Sequence, residues 1–188
     1  MSSRLLLHTC CAPCSVSCVE TLRSEALRPD LFWFNPNIHP YTEYRARRDT
    51  LAQFAGDEGL ELIMEDDYGL RSFITGLEGN FEDRCAYCYR IRLAKTAFYA
   101  AAQGYDCFST TLLISPYQKH ELIREIAGEE AAKHGVQFFY RDFRPGFREG
   151  QRKARERGYY MQQYCGCIFS EEERYTKEQA RNLNIKKK

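Results

Sequence analysis

Nine cysteines in a chain of 188 residues, seven of them in three tight groups, restrict the folds open to this sequence more than any other feature. The groups are Cys10-Cys11-Ala12-Pro13-Cys14, Cys85-Ala86-Tyr87-Cys88 and Cys165-Gly166-Cys167. An odd count leaves one thiol over in any disulfide framework, and a chain of this length buries an adequate core without covalent staples. Thiols in a reducing compartment instead serve metals or redox chemistry. The segment Met1-Ser2-Ser3-Arg4 leads into only three leucines before His8, too short for the apolar core of a secretory signal. No stretch approaches the roughly 18 apolar residues of a membrane span. The expected address is the cytoplasm, with no membrane partner.

The order of elements reads as one α/β domain over residues 1–188. Arg4 to Cys10 is a short buried strand, and Pro13 and Ser15 open a helix to about Leu27. Asp30 to Asn35 and Glu61 to Glu65 are further strands, separated by the Pro36–Pro40 loop and a charged helix over Tyr41–Glu58. Asp66 to Arg84 is polar and without sustained periodicity. A long helix then runs from Cys85 to Gln103, and Gly104 stops it. A fourth strand is expected over Asp106–Ile114, a helix to His134 ended by Gly135, and a fifth strand over Val136–Asp142. Arg144 to Gly158 is basic and helical in part. Ser170 with Glu173 has the form of a capping box for a last helix, and the lysine tail after Ile185 is expected to fray.

Strands alternating with helices predict a five-stranded parallel, Rossmann-like sheet with helices on both faces. Ligands of such sheets bind beyond the carboxyl ends of the strands. Cys10, Cys11, Asn35, Thr110-Thr111 and Asp142 fall at such ends and are expected to face one crevice. The segment 141–188, basic and cysteine-containing, is expected to pack over that end.

Soft thiolates select zinc, Cu(I) or iron–sulfur clusters, and four of them make the usual cluster cage. The candidate cage is Cys10, Cys11, Cys85 and Cys88. Cys165 and Cys167 remain as a redox pair or second metal-binding pair, with Cys14 and Asp83 as weaker ligand candidates. Cys18, within a helix, and Cys107, within a strand, read as small buried hydrophobes. Two alternatives stay open on spacing alone. One is a zinc-stabilised RNA-binding module. The other is a thioredoxin-like dithiol oxidoreductase, because Cys11-Ala12-Pro13-Cys14 follows a strand and opens a helix.

Five separated motifs carry a family resemblance. His8-Thr9-Cys10-Cys11-Ala12-Pro13-Cys14, Asn35–Pro40, Cys85–Cys88, Thr110–Gln118 and Tyr164–Cys167 together resemble the QueH family of epoxyqueuosine reductases over residues 4 to 175. The resemblance implies a fold related to the adenine nucleotide α-hydrolase and PP-loop (HUP) group. It implies reduction of the epoxide of epoxyqueuosine, in the anticodon loop of a tRNA, to the alkene of queuosine. It also implies a [4Fe-4S] cluster without cobalamin, room for a mononuclear iron beside it, and a separate electron donor. No Ser-Gly-Gly phosphate-binding signature follows the first strand, so ATP chemistry is not expected.

Within that resemblance, Cys165, Cys167, Asp142, His8 and Tyr164 are the candidate catalytic groups. Asp142 would be a ligand for extra iron, and His8 and Tyr164 proton donors. From Arg141 to Arg157 the chain carries seven basic and three acidic residues, within a whole protein of net charge +1. Arg144, Arg148, Arg152, Lys153 and Arg155 are therefore the candidate tRNA contacts, with aromatic residues interleaved to meet bases.

Overall fold

The computed structural model describes residues 3–185 and contains one wholly parallel sheet. Its strands are β1 (Leu5–His8), β2 (Asp30–Trp33), β3 (Leu62–Met64), β4 (Cys107–Thr110) and β5 (Gln137–Phe138), in the spatial order β3-β2-β1-β4-β5. Central β1 is a run of three leucines and a histidine, buried throughout, as a parallel strand covered on both faces requires. His8 lies in register with Phe32 on one side and Thr110 on the other.

Seven α-helices accompany the sheet: α1 (Ala12–Ser24), α2 (Tyr41–Glu58), α3 (Leu70–Gly76), α4 (Arg84–Ala102), α5 (His120–His134), α6 (Phe147–Glu156) and α7 (Ile168–Ile185). Right-handed crossovers place helices that follow opposite directions of strand travel on opposite faces. Accordingly α1 packs with α2 and α6, while α4 packs with α5. Gly59 and Gly135 end α2 and α5 in the left-handed region, at φ 61° and 68°. The α1–α6 contact is close at Gly150, where a Cβ would lie 2.7 Å from Ser17 Oγ.

Several expectations are corrected. The apolar run after β4 is a 3₁₀ turn over Thr111–Ile114, with Thr110 Oγ1 accepting the Leu112 N–H at 3.1 Å. Short buried apolar runs look alike in either conformation, and the cap decides. β5 is two residues long, and Phe139–Asp142 is irregular. The polar stretch holds α3. Helix α7 begins at Ile168, so Ser170 lies inside it. The Ser170 hydroxyl donates to Cys167 O at 2.7 Å, and Glu173 pairs with Arg84. The tail after Ile185 lies outside the described residues. No helix among those described is long and apolar enough to cross a membrane.

Candidate active site

The carboxyl end of β1 is tied down before the first cysteine. The Thr9 N–H and hydroxyl both donate to Phe32 O, at 2.9 and 3.1 Å, and Asn35 Nδ2 donates to Thr9 O at 2.9 Å. The chain then turns into α1 with Cys11 as its extended N-cap residue. This geometry gathers the Sγ atoms of Cys10, Cys11 and Cys14 within 4.8 Å of one another, all buried. Cys10 Sγ stands 3.8 Å from Cys11 Sγ and 3.7 Å from Thr111 Oγ1, and Gln162 Nε2 donates to Cys14 Sγ at 3.4 Å. Hydrogen bonds from the Cys11 and Cys14 thiols, aided by Arg92, hold Cys10 well below the usual thiol range. Burial raises Cys11, and bonding to Cys10 raises Cys14. The lowered Cys10 thiol sits beside a helix N-terminus, whose dipole favours its thiolate form.

Two buried arginines face these sulfurs. Arg92 of α4 donates to Asn35 Oδ1 at 2.8 Å and to Cys88 Sγ at 3.6 Å, and its Nε has no partner. Arg47 of α2 bonds Glu43 Oε1 through Nε at 2.6 Å. Its other nitrogens donate to Cys165 O at 3.0 Å and Tyr164 O at 2.9 Å. Burial works against both charges, yet the thiols hold both guanidinium groups above their usual value, aided at Arg47 by Glu43. Buried cations persist only where negative charge compensates them.

The remaining cysteines form a second group. Cys85 and Cys88 sit in the first turns of α4. Cys88 and Cys167 pack with Phe73 and Leu77, and the exposed Cys165 Sγ accepts from Gln118 Nε2 at 3.2 Å. Burial pushes Cys88 up to about 12 and also raises Cys85. A cavity of about 530 Å³ is lined by Cys10 from the first group and by Cys85, Cys165 and Cys167 from the second, with Tyr89 and Gln118 between them. The structure therefore brings all three sequence groups to one cavity. It also seats Cys14, rather than Cys85 or Cys88, in close contact with Cys10 and Cys11.

Other expected residues lie elsewhere. His8 is fully buried, with Nδ1 2.9 Å from Thr110 Oγ1, and burial lowers it to about 3, so it is neutral near pH 7. It does not line the cavity. Asp142 also lies outside the lining, held by Arg144, which lowers its carboxyl to about 2. Asp83 is exposed and accepts from Asn80 Nδ2 at 3.0 Å. Tyr164 lines the cavity but its hydroxyl is committed to His39 O. Arg144, Arg152 and Lys153 pair with Asp142, Glu149 and Glu156, and Glu20. Cys18 and Cys107 are buried as expected.

Sequence reasoning missed Arg92, Tyr89 and Gln162, and read Arg47 as an extension of the exposed basic patch, whereas it is buried on Glu43 and the Tyr164 and Cys165 carbonyls. A signal for the arginines was available. Arg47 shares a helix face with Tyr44, Leu51 and Phe54, and Arg92 with Tyr89, Leu93 and Thr96. A charged residue on an apolar stripe marks a buried charge with a partner.

A cavity lined by thiols, at the carboxyl end of a parallel α/β sheet and flanked by buried cations, defines a protein built for thiolate metal binding or redox chemistry. Residues 5–173 match the family model described as "Epoxyqueuosine reductase QueH", and the chain belongs to that family. A protein of that description from Dehalococcoides mccartyi is 37% identical over 177 residues, covering 94% of this chain and 97% of the relative. Those from Thermotoga maritima and Acinetobacter baylyi are 36% and 34% identical, over 92% and 90% of this chain and 93% and 81% of their own lengths. Among solved structures, a protein described as a predicted subunit of tRNA methyltransferase from Methanocaldococcus jannaschii covers 81% of this chain and 76% of its own. Its TM-score of 0.45 at 13% identity carries no argument.

Proposed function

We propose that this protein reduces the epoxide of epoxyqueuosine in tRNA to the alkene of queuosine, with the oxygen leaving as water. The conversion consumes two electrons and two protons. The observation that carries the reading is the convergence of Cys10, Cys85, Cys165 and Cys167 on one cavity.

The donor set fits an iron–sulfur cluster. It consists of soft sulfur ligands, mostly buried, with the Cys10 thiol held low and two buried guanidinium groups facing the sulfurs. Cys10, Cys11 and Cys14 would hold a [4Fe-4S] cluster, with the fourth thiolate from Cys85, the member of the Cys85–Cys88 pair that lines the cavity. Cys165 and Cys167 would serve as the redox-active pair or hold the mononuclear iron. When bound, the cluster supplies electrons singly, which no side chain does. Neither cobalamin nor a membrane has a part in this reading, and a separate reductant would recharge the site in the cytoplasm.

The chain itself would supply binding and protons. Tyr89 presents a buried hydroxyl to the cavity, donating to Gln118 Oε1 and accepting from the Lys119 N–H at 3.3 Å. Burial raises that hydroxyl, so it keeps its proton until an oxyanion develops. Gln118 would orient both Tyr89 and Cys165.

The test is anaerobic purification, iron and sulfide analysis, and mass spectrometry of nucleosides after incubation with a chemical reductant and tRNA bearing epoxyqueuosine. Four or more irons per chain and conversion to queuosine are expected, with cluster iron lost in Cys14→Ser. Colourless protein holding one zinc and leaving the epoxide intact would sink the reading.

A further inference from the structure

The cavity has a rim whose chemistry differs from its interior. Its buried lining residues include Cys10 and Cys167, whereas Tyr117, Lys119 and Arg174 line it while exposed to solvent. Tyr117 is 85% exposed in a loop, which is unusual for so large an apolar face. Phe147 stands perpendicular to its ring at 6.0 Å between centroids. With 85% of its surface exposed, the Tyr117 side chain is open to solvent beside the mouth of the cavity.

The basic residues near this rim divide in two. Arg144, Arg152 and Lys153 are each neutralised by carboxylates of this chain. Lys119, Arg148, Arg155 and Arg174 have no carboxylate within 4.0 Å among the described residues. On α6, Phe147 and Gln151 line the cavity. Arg148 and Arg155, seven residues or about two turns apart, share the stripe next to them. Uncommitted cations therefore line the cavity from the Tyr117 loop and α7, and on α6 they flank its lining residues.

From this arrangement we infer that the rim is a single-strand RNA clamp. Tyr117 is the platform on which one unpaired base stacks, and Lys119, Arg148, Arg155 and Arg174 hold the adjoining phosphates. The inference rests on the proposed reaction on tRNA and assigns that RNA its contacts. Stacking on an aromatic face is sequence-tolerant and needs an unstacked base, which an RNA loop supplies and a duplex does not. Of the paired half, Lys153 ties α6 to α1 through Glu20, Arg144 and Arg152 pair locally, and none of the three reads RNA.

The experiment is fluorescence anisotropy of the anaerobically purified holoenzyme with an unmodified RNA stem–loop, titrated at several salt concentrations. Tyr117→Ala is expected to weaken binding about 5- to 150-fold with the salt slope unchanged, and Tyr117→Phe to retain affinity. Lys119→Ala with Arg148→Ala should flatten the plot of log affinity against log salt by about 0.7 for each charge removed. Arg152→Ala should leave affinity within about twofold of the parent. Tyr117→Ala and Arg148→Ala are solvent-facing changes, and an unchanged melting temperature shows that any loss is not unfolding. Wild-type binding with Tyr117→Ala indistinguishable from it, or Arg152→Ala as costly as Arg148→Ala, overturns this inference alone. A wild-type protein that binds neither the stem–loop nor tRNA overturns both the clamp and the reaction it serves.

Discussion

Arg47→Met isolates the contact that ties the C-terminal cysteines to the sheet domain. Arg47 is 1% exposed and its partner Glu43 7%, so water does little to screen them. The change removes the buried cation facing Glu43, leaving that carboxylate only the Tyr160 hydroxyl, and strips charged donors from Cys165 O and Tyr164 O. Breaking a buried ion pair from one side costs about 3–5 kcal/mol. With a urea dependence of about 2 kcal/mol per molar, the unfolding midpoint should fall by roughly 1.5–2.5 M. In a double-mutant cycle, Glu43→Gln with Arg47→Met should cost at least about 1.5 kcal/mol less than the two single changes together, because the residues are in contact. The assay is anaerobic urea unfolding followed by circular dichroism on all four proteins. A loss under about 1 kcal/mol for Arg47→Met, or strict additivity with Glu43→Gln, would refute the idea that this pair is the anchor.

Other outcomes follow from single features. Tyr89→Phe should lower kcat about 100-fold or more while iron content stays at the parent value, and a kcat within threefold would remove Tyr89 as the proton donor. Burial holds His39 near a pKa of about 4, against about 6.5 in an unfolded chain. Its contribution to stability is therefore complete above pH 6.5 and is lost as pH falls toward 4. Over that window His39→Asn should flatten the pH dependence of unfolding by about 1.4 kcal/mol per unit, and an unaltered slope counts against it. Gly150→Ala should destabilise by about 1–3 kcal/mol despite the better helix former, because the new methyl meets Ser17 Oγ. Ser17→Gly should recover part of that loss in thermal melts, and no recovery would place the clash elsewhere.

The frame of the molecule was legible because its signals are local. The three leucines of β1 read as a doubly covered strand, Gly59 and Gly135 as helix ends, and Tyr41–Glu58 as a helix with its observed bounds. The cysteine groups announced a common site by composition alone. What could not be read was the partnership of long charged side chains. Arg152 and Lys153 look like an open basic patch in the sequence, yet Glu149 and Glu156 on the same helix and Glu20 on α1 claim them. Asp142 looks like a ligand at a strand end, yet β5 stops at Phe138 and Arg144, two residues further on, takes the carboxylate. Cys14 was ranked behind Cys85 and Cys88 because spacing does not reveal that one helical turn from the N-cap returns a sulfur to Cys10 and Cys11.

The order of these segments along the chain has a biosynthetic consequence. The last sheet strand ends at Phe138, before Cys165 and Cys167 have been translated. Folding that starts on the ribosome can pair all five strands while the cavity still lacks one wall. A chain stopped between those points would carry every strand of the sheet yet lack Cys165 and Cys167 from the lining of the cavity.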